Sequence, residues 1–206
     1  MDNVAPSRPR RLSLLGLSAC VLAIVIGVLL IVRPAILDPT PAAPALVPLS
    51  SNRPSGVIDA PARSLTAGDP APDFELAALT GAKVKLTDLR GHAVLINFWA
   101  TWCPPCKEEM PLIVSAYNAH QPAGLRVLAI DSTAFDDMDA IRSFVSKYQM
   151  NFDVLLDDQD VVSTGWNILG LPSSFFIKPD GTIAAVHIGQ MTAEQLNTYL
   201  KMVLPN

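Results

Sequence analysis

The sequence predicts an α/β domain, a mixed central sheet with helices on both faces, behind an N-terminal transmembrane helix and a Pro-rich linker. Three observations predict it. Apolar runs rich in β-branched and aromatic residues, at Ala93–Trp99 and residues 125–130, alternate with segments of helical periodicity. A Lys178-Pro179-Asp180-Gly181 turn joins two further strand-like runs. Residues 12–32 carry no formal charge, and nine prolines follow between positions 34 and 72.

Residues 12–32 number 21, about what a helix needs to cross a hydrocarbon core of roughly 30 Å. Arg8, Arg10 and Arg11 precede this stretch and only Arg33 follows it closely, so residues 1–11 are expected in the cytoplasm and the rest outside. Two other readings stay open: cleavage among the small residues 42–45, or lipidation of Cys20 in Leu17-Ser18-Ala19-Cys20. Each exports the domain. Residues 33–67 read as a stalk, because proline fixes φ and lacks an N–H.

The domain proper is expected over residues 68–206. Ala93–Trp99 reads as a buried central strand and Pro104–His120 as the helix after it. Residues 125–130 form a second buried strand. Over residues 136–149, Met138, Ile141, Phe144, Val145 and Tyr148 fall on one helical face. Residues 152–156 read as a short strand and 161–166 as a short helix. Ser173–Ile177 and residues 182–188 make a hairpin about the Pro-Asp-Gly turn. Thr192 opens a last helix, with Leu196, Tyr199, Leu200 and Val203 as its stripe.

Of three cysteines, Cys20 lies in the apolar stretch, while Cys103 and Cys106 form a Cys-x-x-Cys at a helix start. Such a count supplies no framework of staples and points to chemistry. The first sulfur of the pair meets the unpaired N–H groups and positive dipole end of the helix, which favour thiolate. Thiolate is the attacking form in disulfide exchange. Pro104 and Pro105 cost the first turn little, since their missing N–H groups have no helical partner there.

Together the motifs Ala71-Pro72-Asp73-Phe74, Asn97-Phe98-Trp99-Ala100-Thr101-Trp102-Cys103-Pro104-Pro105-Cys106, Glu109-Met110-Pro111, Gly170-Leu171-Pro172 and Pro179-Asp180-Gly181 resemble the thioredoxin superfamily, within it the TlpA/ResA-like membrane-tethered branch. The resemblance spans about residues 68–204 and implies a thioredoxin fold. It implies that Cys103 is the exposed nucleophile and that the more buried Cys106 resolves the mixed disulfide. It makes Pro172 a cis-proline beside the pair, Leu171 a backbone contact for substrate, and Pro111 the proline that kinks the active-site helix. Trp102 would line the contact surface. Asn97 stands where thioredoxins keep a buried aspartate, and Val127 near their partnering lysine. Glu109 is the candidate replacement, a proton shuttle whose pKa burial would raise. The bland alternative makes Glu108 and Glu109 a solvated face beside Lys107.

A net charge of -4 offers no basic footprint for nucleic acid. A zinc site is disfavoured, because His92, His120 and His187 are isolated and no second Cys-x-x-Cys exists. A four-residue loop makes a weak structural staple. Ala71-Pro72-Asp73-Phe74 also occurs in peroxiredoxins, but Thr101 stands two rather than three residues before Cys103. No cofactor or resident metal is called for. The resemblance implies a disulfide oxidoreductase, chiefly reductive, working on the periplasmic side of the inner membrane. Its partners are exported proteins with disulfides or cysteines, apocytochrome c among them, and a membrane thiol-reductant donor. The alternative is a metal- or haem-handling chaperone with the cysteine pair as ligands.

Overall fold

A computed structural model describes residues 63–205. The expected anchor (12–32), its cytoplasmic flank (1–11), Cys20 and nearly all of the linker lie outside the described residues. Among those described, no helix is long and apolar enough to cross a membrane.

Seven strands form one mixed sheet in the order β2-β1-β5-β4-β3-β6-β7. They are β1 (Glu75–Ala78), β2 (Lys83–Lys85), β3 (Ala93–Trp99), β4 (Leu125–Asp131), β5 (Asp153–Leu156), β6 (Ser173–Ile177) and β7 (Ile183–Ile188). The helices are α1 (Pro104–His120), α2 (Met138–Tyr148), α3 (Val161–Gly165) and α4 (Ala193–Val203). Strands β3, β4 and β5 run parallel, and β6 and β1 flank them antiparallel. The central β3 is buried along its whole length.

Strand parity sorts the core into two layers. Leu95 and Trp99 of β3 and Val127 and Ala129 of β4 face the three long helices, which contribute Met110, Ile113, Ile141, Phe144, Leu196 and Leu200. Val94, Ile96 and Phe98 face the opposite layer with Phe74, Leu86 and Trp166. There Trp166 meets Phe98, Phe175 and Phe74 at centroid separations of 5.9, 5.0 and 6.0 Å. Each such pair is worth about 0.5–1.5 kcal/mol beyond its buried area. Helices do cover both faces, but unequally: only the five-residue α3 lies on the second, and the chain before β3 covers the rest.

Sequence periodicity missed β1 and β2. These strands have four and three residues and only Ala78 of them is buried, so neither carries a run long enough to register. Gly81, at φ 88°, turns the chain between them. Helix α2 begins at Met138, two residues later than expected, because the Asp137 carboxylate caps it by accepting from Asp139 and Ala140 N–H. That frees Asp136 for a different partner. Buried Asp157 plays the same part for α3, accepting from the N–H groups of Val161, Val162 and Ser163 and from the Ser163 hydroxyl.

Thr192 opens α4 with a full capping box: its hydroxyl accepts from Gln195 N–H while Gln195 Oε1 accepts from Thr192 N–H. Thr192→Ala removes one of these bonds. The expected loss is about 1 kcal/mol, read as a melting temperature lower by roughly 3 °C. An unchanged melting temperature would mean that the packing of Leu196 and Leu200 alone sets the start of this helix.

Candidate active site

Strand β3 delivers the chain to the C-terminal end of the parallel strands, where Ala100 to Cys103 turn it into α1. Cys103 is the N-cap residue, Pro104 and Pro105 fill the first helical positions, and the Cys103 sulfur accepts from Cys106 N–H at 3.3 Å. The two cysteines are joined in a disulfide, their Cα atoms 5.3 Å apart. An exposed Cys103 is not what this form presents: Cys103 is 3 % exposed and Cys106 1 %. The bond to Cys106 draws the first sulfur in under the helix start. Trp102, 54 % exposed, holds the surface instead.

Trp102 is fixed by its indole N–H, which donates to the Phe135 carbonyl at 3.0 Å. Thr101 donates from both its N–H and its hydroxyl to the Asp136 carboxylate. The loop after β4 thus braces the turn that carries Cys103. Beside it opens a cleft of about 740 Å³, bordered by Trp102, Phe135, Leu169 and Leu171. The Leu171–Pro172 peptide bond is cis, as the resemblance implies. Ser173, the next residue, pairs with Phe98 near the end of β3, which sets Pro172 at the same end of the sheet as the cysteine turn. Pro111 stays within a continuous α1.

Glu109 is buried, whereas Lys107 and Glu108 form the exposed face. The solvated-face reading therefore holds for Glu108 and fails for Glu109. Three residues beyond Cys106, Glu109 shares its helix face. Its Oε1 accepts from Met191 N–H at 2.9 Å and its Oε2 from Asn97 Nδ2 at 3.2 Å. Burial pushes the Glu109 carboxyl above its ordinary value, against the two hydrogen bonds that favour the charged form. Asn97 also donates to Ser174 Oγ at 3.0 Å, so this amide links α1, β3 and β6.

The usual buried aspartate is absent from β3, yet a buried acid is present. Asp131 ends β4 beside Trp99, fully enclosed, and burial with the neighbouring Asp136 charge pushes its carboxyl up to about 7. The apolar run ends at Ile130, so sequence pattern alone leaves this residue outside the strand. An aspartate directly after an apolar strand was the available signal. Ser174, Met191 and Asp136 were also missed, since nothing local marks them. Among the described residues, no group of three or more His, Cys, Asp or Glu is placed to hold a metal ion.

A thioredoxin fold with a Cys-x-x-Cys disulfide at the start of its central helix defines a class, the thioredoxin-like disulfide oxidoreductases. The chain belongs to the AhpC/TSA family, whose model matches residues 67–186. It is 38% identical over 138 residues to the thiol-disulfide oxidoreductase ResA of Bacillus anthracis, covering 67% of this chain and 79% of that one. ResA of Bacillus subtilis is 33% identical over 142 residues, 69% of this chain and 78% of the relative. Among solved structures, a Chlorobium tepidum protein assigned as the thiol:disulfide interchange protein DsbE aligns with TM-score 0.62 and 31% identity, covering 67% of this chain and 97% of that one. A secreted Mycobacterium tuberculosis disulfide oxidoreductase homologous to DsbE aligns with TM-score 0.58 and 28% identity, over 63% and 96% of the two chains.

Proposed function

We propose that the chain is a membrane-anchored reductase of exported proteins, with residues 12–32 holding the domain on the outer face of the inner membrane. The observation that carries the reductive direction is the buried Glu109 carboxyl one turn beyond Cys106, with two prolines and no cation between the cysteines. A strong oxidant of this fold needs its thiolate form stabilised. A buried acid beside the pair does the opposite. It leaves the dithiol poorly stabilised and ready to give up its electrons.

In the dithiol form, the Cys103 thiolate attacks a substrate disulfide, forming a mixed disulfide and releasing one substrate thiolate. Glu109 then takes the proton of the Cys106 thiol. The resulting Cys106 thiolate attacks Cys103 Sγ, closing the Cys103–Cys106 disulfide and expelling the second substrate thiolate. Two electrons pass to substrate, and a membrane thiol reductant restores the dithiol. Trp102 and Leu171 contact the substrate segment, with Pro172 setting the Leu171 backbone. The resemblance of the motifs to the TlpA/ResA-like branch points to precursors of cysteine-bearing metalloproteins, apocytochrome c first, as substrates.

Rapid acid quenching of intact cells followed by thiol alkylation tests the direction. A reductase is held mostly as the dithiol, so two alkyl groups are expected on the Cys103–Cys106 peptide. A pair found fully oxidised at steady state, with reductant donors intact, would rule out the reductive reading.

A further inference from the structure

The acids behind the Cys103 turn have a proton arrangement that exchange chemistry does not call for. Asp136 accepts three hydrogen bonds: from Thr101 N–H, Thr101 hydroxyl and Asp137 N–H. A carboxylate suits all three. Asp131 is different. Its Oδ1 accepts from the Thr133 hydroxyl at 3.0 Å, while its Oδ2 is enclosed and has no partner among the described atoms. A buried carboxylate oxygen without a donor is costly, whereas a carboxylic acid there is itself a donor. Asp136, five residues on and bonded to the turn that follows Trp99, Asp131's neighbour across β3 and β4, is the acid whose charge bears on it.

We propose that Asp131 and Asp136 share one proton, and that this shared proton locks the Thr101-Trp102-Cys103 turn over the disulfide. Asp131 donates to Asp136, and Asp136 holds Thr101. Loss of the proton to solvent leaves two carboxylates facing each other with nothing positive between them. The surrounding groups do not neutralise the pair. Asp157 at the end of β5 donates its N–H to the Asp131 carbonyl but spends its carboxylate on α3. From α2, Ile141 and Phe144 are buried on the Trp99 face, while Arg142 is engaged with Asp139 in solvent. From α1, Glu109 is a third acid of the same face, and Lys107 is exposed. Repulsion is therefore relieved by movement of the loop that carries Asp136, Thr101 and, through the Phe135 carbonyl, Trp102. The turn loosens, and the enclosed Cys103–Cys106 bond becomes more open to attack. Asp131 and Asp136 are positioning residues, and the lock is independent of the direction of electron flow.

The oxidised protein makes the test clean, because its cysteines do not titrate. Its reduction by dithiothreitol is followed from pH 5.5 to 8.5 beside that of Asp131→Asn, which keeps a neutral donor at every pH. Dividing the two rates cancels the ionisation of dithiothreitol. The ratio of unsubstituted to variant rate is expected to rise with an inflection near neutrality by about three- to tenfold, the net size of one ordinary hydrogen bond. A flat or falling ratio overturns the proposal. An independent readout needs no folded Asp131 variant: the infrared carboxylic-acid band of Glu109→Gln protein, in which Glu109 no longer contributes, must lose one buried acid as pH rises through 7. A band that is absent at pH 5.5, or that persists to pH 8.5, overturns it equally.

Discussion

Cys106→Ser stops turnover and leaves the protein covalently joined to its substrate. The Cys103 thiolate still attacks, but no second thiol can displace it, so the mixed disulfide accumulates where the unsubstituted protein would release product. Turnover with a disulfide-bonded protein substrate is expected to fall more than about a hundredfold, because the two sulfurs act as one unit. Cys103→Ser loses the same turnover and forms no adduct. Mass spectrometry of the products after non-reducing electrophoresis separates the two cases. The fold should survive either change, since a disulfide closing so short a loop contributes little chain entropy. A Cys106→Ser protein that gathers no adduct, although its Cys103 alkylates freely, would remove the cysteine pair from the mechanism.

The second large effect is expected from Glu109→Gln. Glutamine keeps the shape and can still accept from Met191 N–H, but it cannot take a proton. Loss of a positioned general base slows resolution by about a hundredfold. The pH profile carries the diagnosis. In the unsubstituted protein the rate rises as Glu109 ionises, through a value that burial holds above the ordinary glutamate range. In the variant that limb disappears and only thiol ionisation remains. Stability moves the other way. An acid whose folded pKa is raised keeps its proton when the unfolded chain has lost it, so stability falls as pH climbs from the ordinary glutamate value through the raised one. Glu109→Gln lacks that fall, so denaturant unfolding should show its advantage growing with pH. Equal rates and equal pH profiles for the two proteins would return Glu109 to a purely structural part.

Much of the fold could be read one segment at a time. The mostly apolar β3, the Pro104 start of α1, the Pro-Asp-Gly turn and the Thr192 cap each depend on residues within a few positions of one another, and each appears where its local pattern put it. The cysteine pair is legible for the same reason, since three positions at a helix start are enough to join the sulfurs. The edge hairpin β1–β2 was illegible because its residues are mostly exposed and its strands short. Glu109 was half legible. Its place after Cys106 was visible, but the side of α1 on which it lay was not decided by the run Lys107-Glu108-Glu109.

By itself, then, the sequence determined the order of strands and helices from β3 onward, the redox pair and its seat at a helix N-terminus, all through short-range periodicity and capping. Tertiary structure alone decided which polar atoms meet. Asn97 reaches Ser174 across 77 positions and Met191 reaches Glu109 across 82, contacts that exist only once β6 lies against β3 and α4 has been led back over the sheet. The upward push on the Glu109 and Asp131 carboxyls likewise follows from what encloses each of them. Desolvation belongs to the surroundings of a carboxyl and not to the residue, and no local pattern records which segments will enclose it.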